Sequence, residues 1–261
     1  MMKNYLEETK QLFDVKAEQY NCQDFINTDP IQIPHRFAQK EDIEIAGFLT
    51  ATIAWGLRKN IIRNADKLMR LMDNAPYDYV CNAEESDLAT LGQFVHRTFN
   101  GKDCQFFIQS LQNIYRNHNG LESVFTKGFQ ERECVFGALK HFREVFLSIP
   151  HEQRVKKHLS DVTANASGKR LNMFLRWMVR KDDAGVDFGL WDAIPMSALM
   201  LPLDVHTGDV ARAYGLTNRK QNDWKAVEEI TAILRQFDPH DPIRYDFALF
   251  GIGAFGNQEI I

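Results

Sequence analysis

The chain has 261 residues, a formal net charge of −4 and a pI near 6.1, and 44% of its residues are hydrophobic. This length allows about 70 to 75% of the unfolded surface to be buried, so the fold needs no disulfide or metal. The acidic balance argues against a protein that coats nucleic acid. The four cysteines are too widely spaced for a zinc knuckle or an iron–sulfur cluster.

The N-terminal stretch and the apolar runs bear on location. From Met1 to Val15 the chain carries acids and lysines where a signal peptide has an apolar core. No run approaches the roughly 18 apolar residues that span a membrane. We therefore expect a soluble cytoplasmic protein with reduced cysteines, no cofactor, no metal and no membrane association.

Helical periodicity runs through most of the chain, and strand-like alternation is scarce. Apolar residues recur at spacings of three and four, which is typical of amphipathic helices. Such faces occupy residues 61–72, 107–115, 135–146, 171–179 and 224–234. Turn-forming residues separate them at 27–34, 74–77, 100–103, 117–120, 182–189 and 238–242. The pattern predicts an all-α fold without internal repeats or a flexible linker.

Two stretches are strongly basic within this acidic chain. In the first, Arg58 to Arg70, five basic residues are opposed only by Asp66. In the second, Arg154 to Lys181, eight basic residues are opposed only by Asp161. Charge runs are often solvated helix faces, but stretches of one sign are also typical of proteins that bind the phosphate backbone.

An isolated acid, Asp204, follows the apolar approach Leu201-Pro-Leu and precedes a short amphipathic helix. A carboxylate at a helix start is supported by unpaired backbone N–H groups. It can stay ionised in a partly dry cleft and oppose a developing positive charge. An ordinary N-cap is the alternative interpretation of Asp204. Further along, Asp241 is expected to cap the helix that Pro242 opens.

Several segments, in this order, resemble the helix-hairpin-helix, Gly/Pro-rich, catalytic-aspartate (HhH-GPD) DNA glycosylases. They are Phe48–Asn60, Ala164–Phe174, Leu201–Leu216 and Tyr245–Gly253, and the likeness covers about residues 45 to 255. It is closest to an uncharacterised bacterial family grouped with these enzymes. Asp204 matches the catalytic aspartate, His206 the histidine two residues later, and Gly168-Lys169 the end of the hairpin motif G-x-G-x-K.

The chain also departs from the superfamily pattern. Val205, Thr207 and Asp209 stand where Thr, Val and Arg are usual, and Arg212 follows three residues after Asp209. The hairpin is degenerate, because only one of its two glycines is present. The 35 residues from Lys169 to Asp204 exceed the usual spacing, and 182–189 offers room for a loop insertion.

The resemblance implies a single two-lobed helical unit with a cleft between its lobes. Lobe A is expected at about 45–180, with the hairpin region at 154–180, and lobe B at about 1–44 plus 185–261. It further implies a monomer that acts in the cytoplasm, at the nucleoid, on damaged duplex DNA.

The implied function is base-excision repair, with the damaged base flipped into the cleft. Lys169 would attack the sugar while Asp204 stabilises the cationic transition state, and an abasic lyase step could follow. A phosphate contact or a plain surface position are the alternatives for Lys169. Leu57 and Arg58 would fill the vacated stack. The other expected DNA contacts are Lys59, Gly168, Arg170 and His206, with Trp55 and Trp177 in the base pocket.

Two other function classes fit parts of the sequence. A non-catalytic DNA-binding relative would keep the fold and the basic faces without the chemistry. A metal-dependent hydrolase needs carboxylates and imidazoles that converge on one ion. The candidate ligands would be Asp204, His206, Asp209, Asp238, His240 and Asp241.

Overall fold

The structure is a computed structural model that describes residues 2–255, with side chains for residues 5–254. It is almost wholly helical, as predicted. The α-helices are α1 (Met2–Tyr20), α2 (Gln23–Thr28), α3 (Lys40–Thr52), α4 (Arg58–Leu71), α5 (Pro76–Asn82), α6 (Glu85–Thr90), α7 (Gly101–Asn117), α8 (Gly120–Arg132), α9 (Val135–Phe146), α10 (Lys169–Val179), α11 (Val205–Ala213), α12 (Trp224–Phe237) and α13 (Tyr245–Phe255). Across the part of the chain described, none of the helices is both long and apolar enough to cross a membrane.

A small β-hairpin departs from the predicted pattern. Strands β1 (Val95–His96) and β2 (Phe99–Asn100) pair antiparallel, with Val95 opposite Asn100 and His96 opposite Phe99. Arg97 at the turn is left-handed, with φ of 55°. Strands of two residues are too short to show a period-2 alternation in sequence, so this hairpin could not be predicted from periodicity.

The chain divides into two compact units. The terminal unit runs up to Phe25 and resumes at Val162, and the central unit is Ile26–Asp161. The predicted lobes had their boundaries near residues 44 and 180 instead. The difference arises because α10 belongs to the terminal unit, where its side chains Leu171, Phe174 and Trp177 are buried. Residues 1 and 256–261 of predicted lobe B lie outside the described residues.

The core of the central unit is aromatic. Helix α3 is buried from Ile43 to Thr52, because it carries apolar or small residues on almost every face. The ring of Phe48 lies 6.0 Å from that of Phe107 and 5.4 Å from those of Phe142 and Phe146. These contacts join α3 to α7 and α9 and give the central unit its own core.

The core of the terminal unit joins its N-terminal segment, which contains α1, to the segment that begins at Val162. Phe13 on α1 makes an edge contact with Tyr214 at 5.3 Å and lies 6.4 Å from Tyr245. The Tyr245 hydroxyl donates to Asp14 at 2.7 Å. Helix α13 also packs closely on α11, since a Cβ at Gly253 would lie 3.3 Å from the Cβ of His206. Helix α13 therefore supports the start of α11, where Asp204 lies.

Candidate functional site

Helix α10 begins at a turn that carries Gly168 and Lys169. Gly168 is left-handed, with φ of 67°, a conformation that other residues adopt at a cost, and Lys169 follows as the first helical residue. The Ser167 hydroxyl donates to the carbonyl of Leu203 at 3.3 Å. The amide of Asn172 donates to the carbonyl of Ser167 at 3.1 Å. These bonds fix the start of α10 beside the segment that leads into α11.

Asp204 is the N-cap of α11. Its Oδ1 accepts from the backbone N–H of Thr207 at 3.0 Å, and the Thr207 hydroxyl oxygen accepts from the backbone N–H of Asp204 at 2.9 Å. This reciprocal arrangement is a capping box. The next two residues, Val205 and His206, are exposed. The capping role uses one carboxylate oxygen, Oδ1.

The other carboxylate oxygen faces Lys169. Lys169 Nζ lies 3.2 Å from Asp204 Oδ2, and the two side chains are 29% and 25% exposed. The pair is thus partly shielded from water yet open to a ligand. The two residues predicted to carry the chemistry therefore meet, although they lie 35 positions apart in the chain.

The charge of Asp204 is set by opposing effects. Burial raises its pKa, but the Lys169 ammonium and the hydrogen bonds from Thr207 lower it more, so the pKa lies below its ordinary value. The carboxylate is therefore ionised at neutral pH. An ionised carboxylate beside an amine can hold the amine in place, accept its proton, or balance a positive charge that develops on a substrate.

Helix α12 holds the approach to Asp204. The Arg235 guanidinium donates to the carbonyls of Ser197, Ala198 and Leu199 at 2.9 to 3.2 Å. The Thr231 hydroxyl accepts from the backbone N–H of Leu201 at 3.2 Å. These bonds fix the irregular segment 197–201, which leads to the N-cap at Asp204.

Asn222, which no sequence pattern indicated, also contacts the site. Its Nδ2 donates to the carbonyl of Asp204 at 2.8 Å, and its Oδ1 accepts from Arg212 Nη1 at 2.9 Å. Arg212 Nη2 in turn donates to Asp209 at 2.7 Å. An asparagine in a polar turn carries no sequence signal of its own, so its role is visible only in the structure.

Much of the predicted basic face at 154–181 is not a surface. Arg176 and Arg180 are buried within the terminal unit and paired with buried or half-buried aspartates. Arg176 pairs with Asp187 and Asp246 at 3.1 and 2.5 Å, and Arg180 pairs with Asp182, Asp187 and Asp241 at 2.7, 3.1 and 2.8 Å. These two arginines therefore belong neither to a solvated face nor to a phosphate-binding surface, the two interpretations of the basic run. Buried charges require such partners.

Two other cations of that run are partly withdrawn. Arg170 is half-buried, and burial lowers its pKa to about 10. Arg154 lies in the central unit and pairs with the buried Asp103 at 3.1 Å. Lys157 and Lys181 remain exposed. The net charge counted within 154–181 overstated the basic surface, because aspartates outside that run pair with several of its arginines.

Leu57, which is predicted to fill the vacated base stack, lies in the central unit. Leu57 is 74% exposed at the N-cap of α4. The loop before it is tied to the β-hairpin by His96, whose Nε2 lies 3.1 Å from the Trp55 carbonyl and whose Nδ1 lies 2.8 Å from Asn64 Nδ2. Burial lowers the pKa of His96, so this link is neutral near pH 7. The two contacts of His96 therefore fix the loop that precedes the exposed Leu57.

Helix α4 presents an exposed basic stripe. Lys59, Arg63 and Lys67 recur every four residues and are exposed, so they lie on one face of the helix. Arg58 is half-buried, and Asp66 pairs with Arg70 and with Arg36. Of the two basic runs, this one forms the stripe of exposed cations, which we call the α4 stripe (Lys59, Arg63 and Lys67).

The two tryptophans predicted for a base pocket differ. Trp177 is fully buried in the terminal unit, so it packs in the core and offers no face to a ligand. Trp55 is half-buried in the central unit, where its ring makes an edge contact with His96 at 4.9 Å and stacks on His158 at 6.0 Å. The base-pocket prediction for Trp177 is therefore wrong, while Trp55 keeps part of its surface exposed.

The predicted metal ligands do not converge. Among the residues that the structure describes, no group of three His, Cys, Asp or Glu side chains is placed to hold a metal ion. Asp238 accepts from the backbone N–H groups of His240 and Asp241 at 2.9 Å. Asp241 itself makes no capping bond and instead receives Arg180 Nε at 3.0 Å. Asp241 is therefore the N-cap residue by position, but the side-chain cap expected of it is not formed.

The fold and the site define a class: a helical protein in which a lysine and an aspartate meet at the N-termini of two helices. Residues 29–255 match the family described as "Protein of unknown function (DUF2400)", and the chain belongs to that family. Neither a curated protein nor a solved structure matches the chain significantly.

Proposed function

We propose that the protein is a DNA glycosylase of the helix-hairpin-helix type with an abasic lyase step. The observation that carries this proposal is the 3.2 Å contact between Lys169 Nζ and Asp204 Oδ2. Each residue stands at a helix N-terminus, and each matches a catalytic position of the glycosylases that the sequence resembles. A chance surface pair would not be expected to join those two positions.

The proposed reaction begins when Lys169 loses a proton, for which Asp204 Oδ2 is within hydrogen-bond distance. The neutral amine attacks C1′ of a flipped nucleotide. The bond from Nζ to C1′ forms as the bond from C1′ to the base breaks, and the base leaves with the electron pair and takes the proton from Asp204, which becomes a carboxylate again. Asp204 balances the positive charge that develops on the sugar. The nitrogen bound to C1′ then gives up one proton, its electron pair forms the C=N bond of a protonated Schiff base as the C1′–O4′ bond breaks, and O4′ takes the proton.

The central unit supplies features expected of a duplex-binding surface. The exposed Leu57 is suited to enter a base stack, and the α4 stripe offers cations to phosphates. Gly168, Arg170 and His206 remain candidate DNA contacts next to the Lys169–Asp204 pair. Among these, His206 is exposed, Arg170 is half-buried and Gly168 is buried.

The direct test is incubation of the purified protein with duplexes that contain uracil, 8-oxoguanine, an alkylated purine or an abasic site. Borohydride should reduce the Schiff base and leave a covalent protein–DNA adduct. A non-catalytic DNA-binding relative is the second candidate, since capping α11 is by itself a sufficient structural role for Asp204. Duplex binding without base release or adduct on any substrate would favour that candidate.

Replacement Asp204→Asn should slow base release by about 10²- to 10³-fold, because an amide cannot balance the sugar cation. The fold should survive, since Asn caps a helix about as well as Asp. Duplex affinity should hold or rise, because a negative charge near phosphates is removed. Asp192→Asn, at an exposed position of the same unit, is the matched control. Unchanged base release in Asp204→Asn would remove the aspartate from the mechanism.

Salt dependence tests the α4 stripe. If its three cations contact phosphates, the triple variant Lys59→Gln/Arg63→Gln/Lys67→Gln should bind a duplex with a weaker salt dependence. The slope of the logarithm of the association constant against the logarithm of the salt concentration should become less negative by about 3. Lys127→Gln, an exposed lysine on α8 of the same unit, should leave the slope unchanged. Fluorescence anisotropy with a duplex at several salt concentrations measures both. Equal slopes for wild type and the triple variant would exclude the stripe from the binding surface.

A further inference from the structure

Three segments that each precede a helix are bonded to one another in the terminal unit. They are 165–168 before α10, 203–204 before α11 and 222–223 before α12. Ser167 bonds to Leu203, and Asn222 bonds to Asp204. The segment before α12 is therefore joined to the segment that carries Asp204.

The same segment is joined to the loop that leads to Lys169. The backbone N–H of Trp224 donates to the carbonyl of Asn165 at 3.1 Å, and the amide of Asn165 donates to Asp223 Oδ2 at 3.0 Å. Ala166 also forms a β-bridge with Asp223. The segment before α12 thus provides one frame for both members of the Lys169–Asp204 pair.

Within this frame the orientation of the Asn222 amide is determined by Arg212. A guanidinium only donates, so the Asn222 oxygen must face Arg212 Nη1, 2.9 Å away. The Asn222 NH2 group is then turned toward the carbonyl of Asp204, to which it donates at 2.8 Å. The relay runs from Arg212 through Asn222 to the backbone of Asp204.

The packing leaves little freedom for this amide. A Cβ built on Gly208, in the second turn of α11, would lie 2.4 Å from Asn222 Oδ1. Only a glycine lets the amide approach α11 so closely. The amide is therefore held between the Arg212 guanidinium, the Asp204 carbonyl and the helix backbone.

We infer that Asn222 is a positioning residue, oriented by Arg212, which fixes the Asp204 carboxylate against Lys169. The inference rests on the proposed function, because the pair must be aligned for the attack on C1′. The Asp204 carbonyl and carboxylate belong to one N-cap residue, so a shift of its backbone moves Oδ2 relative to Lys169 Nζ. Misplacement of a reacting group by about 1 Å can cost on the order of 100-fold in rate.

Two substitutions test the positioning role of the Asn222 amide in different ways. Asn222→Ala removes the amide, and Gly208→Ala pushes it away, although alanine by itself favours a helix. Both should raise the pKa of Asp204 toward its ordinary value of about 3.9, because its contact with the Lys169 ammonium lengthens. Both should slow adduct formation on an abasic duplex by about 10- to 100-fold, with duplex affinity unchanged. Asn218→Ala, at an exposed asparagine in the same loop, should do neither.

The double variant Gly208→Ala/Asn222→Ala provides the sharpest result. Once the amide is gone, alanine at 208 has nothing to displace, so the double variant should match Asn222→Ala in both measurements. Carboxyl-carbon NMR titration of Asp204 gives the pKa without any need for activity. An Asp204 pKa in Asn222→Ala equal to that in Asn218→Ala, or additive effects in the double variant, would overturn the inference.

The two proposals fail separately. If the wild type forms no adduct on any duplex, the proposed function fails, and the NMR titration still decides whether Asn222 positions Asp204. If the wild type forms the adduct but Asn222→Ala changes neither rate nor titration, the proposed function stands and the positioning role is rejected.

Discussion

Replacing Arg180 by methionine is expected to destabilise the protein by about 3 to 5 kcal/mol, because it leaves buried carboxylates without their counter-charge. The Arg180 side chain is 2% exposed and contacts Asp182, Asp187 and Asp241. Methionine fills a similar volume, so the loss should come from charge more than from a cavity. Urea unfolding of wild type and variant, followed by circular dichroism, gives the difference.

The matched control is Lys181→Met, which removes the same charge from the exposed next residue and should change stability by less than about 0.5 kcal/mol. The deficit of Arg180→Met should shrink from pH 7 to pH 5. Burial already raises the pKa of Asp241 in the presence of Arg180, and without Arg180 the folded state should bind a proton there more tightly than the unfolded state. Folded-state stability then rises as pH falls. A deficit below 1 kcal/mol at pH 7 would mean that water solvates these carboxylates.

The same buried cluster bears on acid behaviour in the wild type. Burial raises the pKa of Asp246 to about 6, even though Arg176 lies 2.5 Å away and lowers it. The folded state therefore binds a proton at Asp246 more tightly than the unfolded state does. This difference adds to the free energy of unfolding, and the contribution is complete below the unfolded aspartate pKa of about 3.9. It is lost as pH rises through about 6. Burial is the main cause of this raised pKa, and the nearby carboxylates of Asp204 and Asp187 raise it further.

Sequence patterns predicted α4, α7, α9, α10 and α12, because each of these helices buries a face that recurs every three or four residues. Of the stripe predicted at 61–72, Ile61, Ala65, Leu68, Met69 and the C-cap residue Met72 are buried and Ile62 is half-buried. The N-cap at Asp204 also followed from local chemistry, since an acid at a helix start bonds to backbone N–H groups. These features depend only on residues close together in the chain.

Features that depend on distant partners could not be predicted in the same way. Arg176 was counted as a surface cation because its partner Asp246 lies 70 residues away. Asp241 was expected to cap a helix, but Arg180 binds its carboxylate. The contact between Lys169 and Asp204 was expected only from the resemblance to glycosylases. No spacing rule links a lysine at one helix start to an aspartate at another.

Asn222 and His96 illustrate a second limit of sequence patterns. Each is a polar residue whose role comes from two simultaneous hydrogen bonds to residues that lie elsewhere in the chain. Neither lies in a periodic stripe, a cap or a motif. Such residues position an N-cap or a loop from outside it, and only the folded arrangement of their partners identifies them.

Lys169→Gln is expected to abolish the borohydride-trapped adduct entirely, because glutamine has no amine to form a Schiff base. The fold should be kept, since residue 169 is the part-exposed first residue of α10, and duplex affinity should change only slightly. Lys220→Gln, an exposed lysine of the same unit, should trap as efficiently as the wild type.

A second readout of Lys169→Gln does not depend on activity. The Lys169 ammonium is the charge that most lowers the pKa of Asp204, so the variant should titrate Asp204 at higher pH. That shift combined with loss of the adduct would assign the attacking amine to Lys169. If the shift appears while trapping persists, the pair exists but another amine is the nucleophile, and Lys169 acts only as the counter-charge that keeps Asp204 ionised.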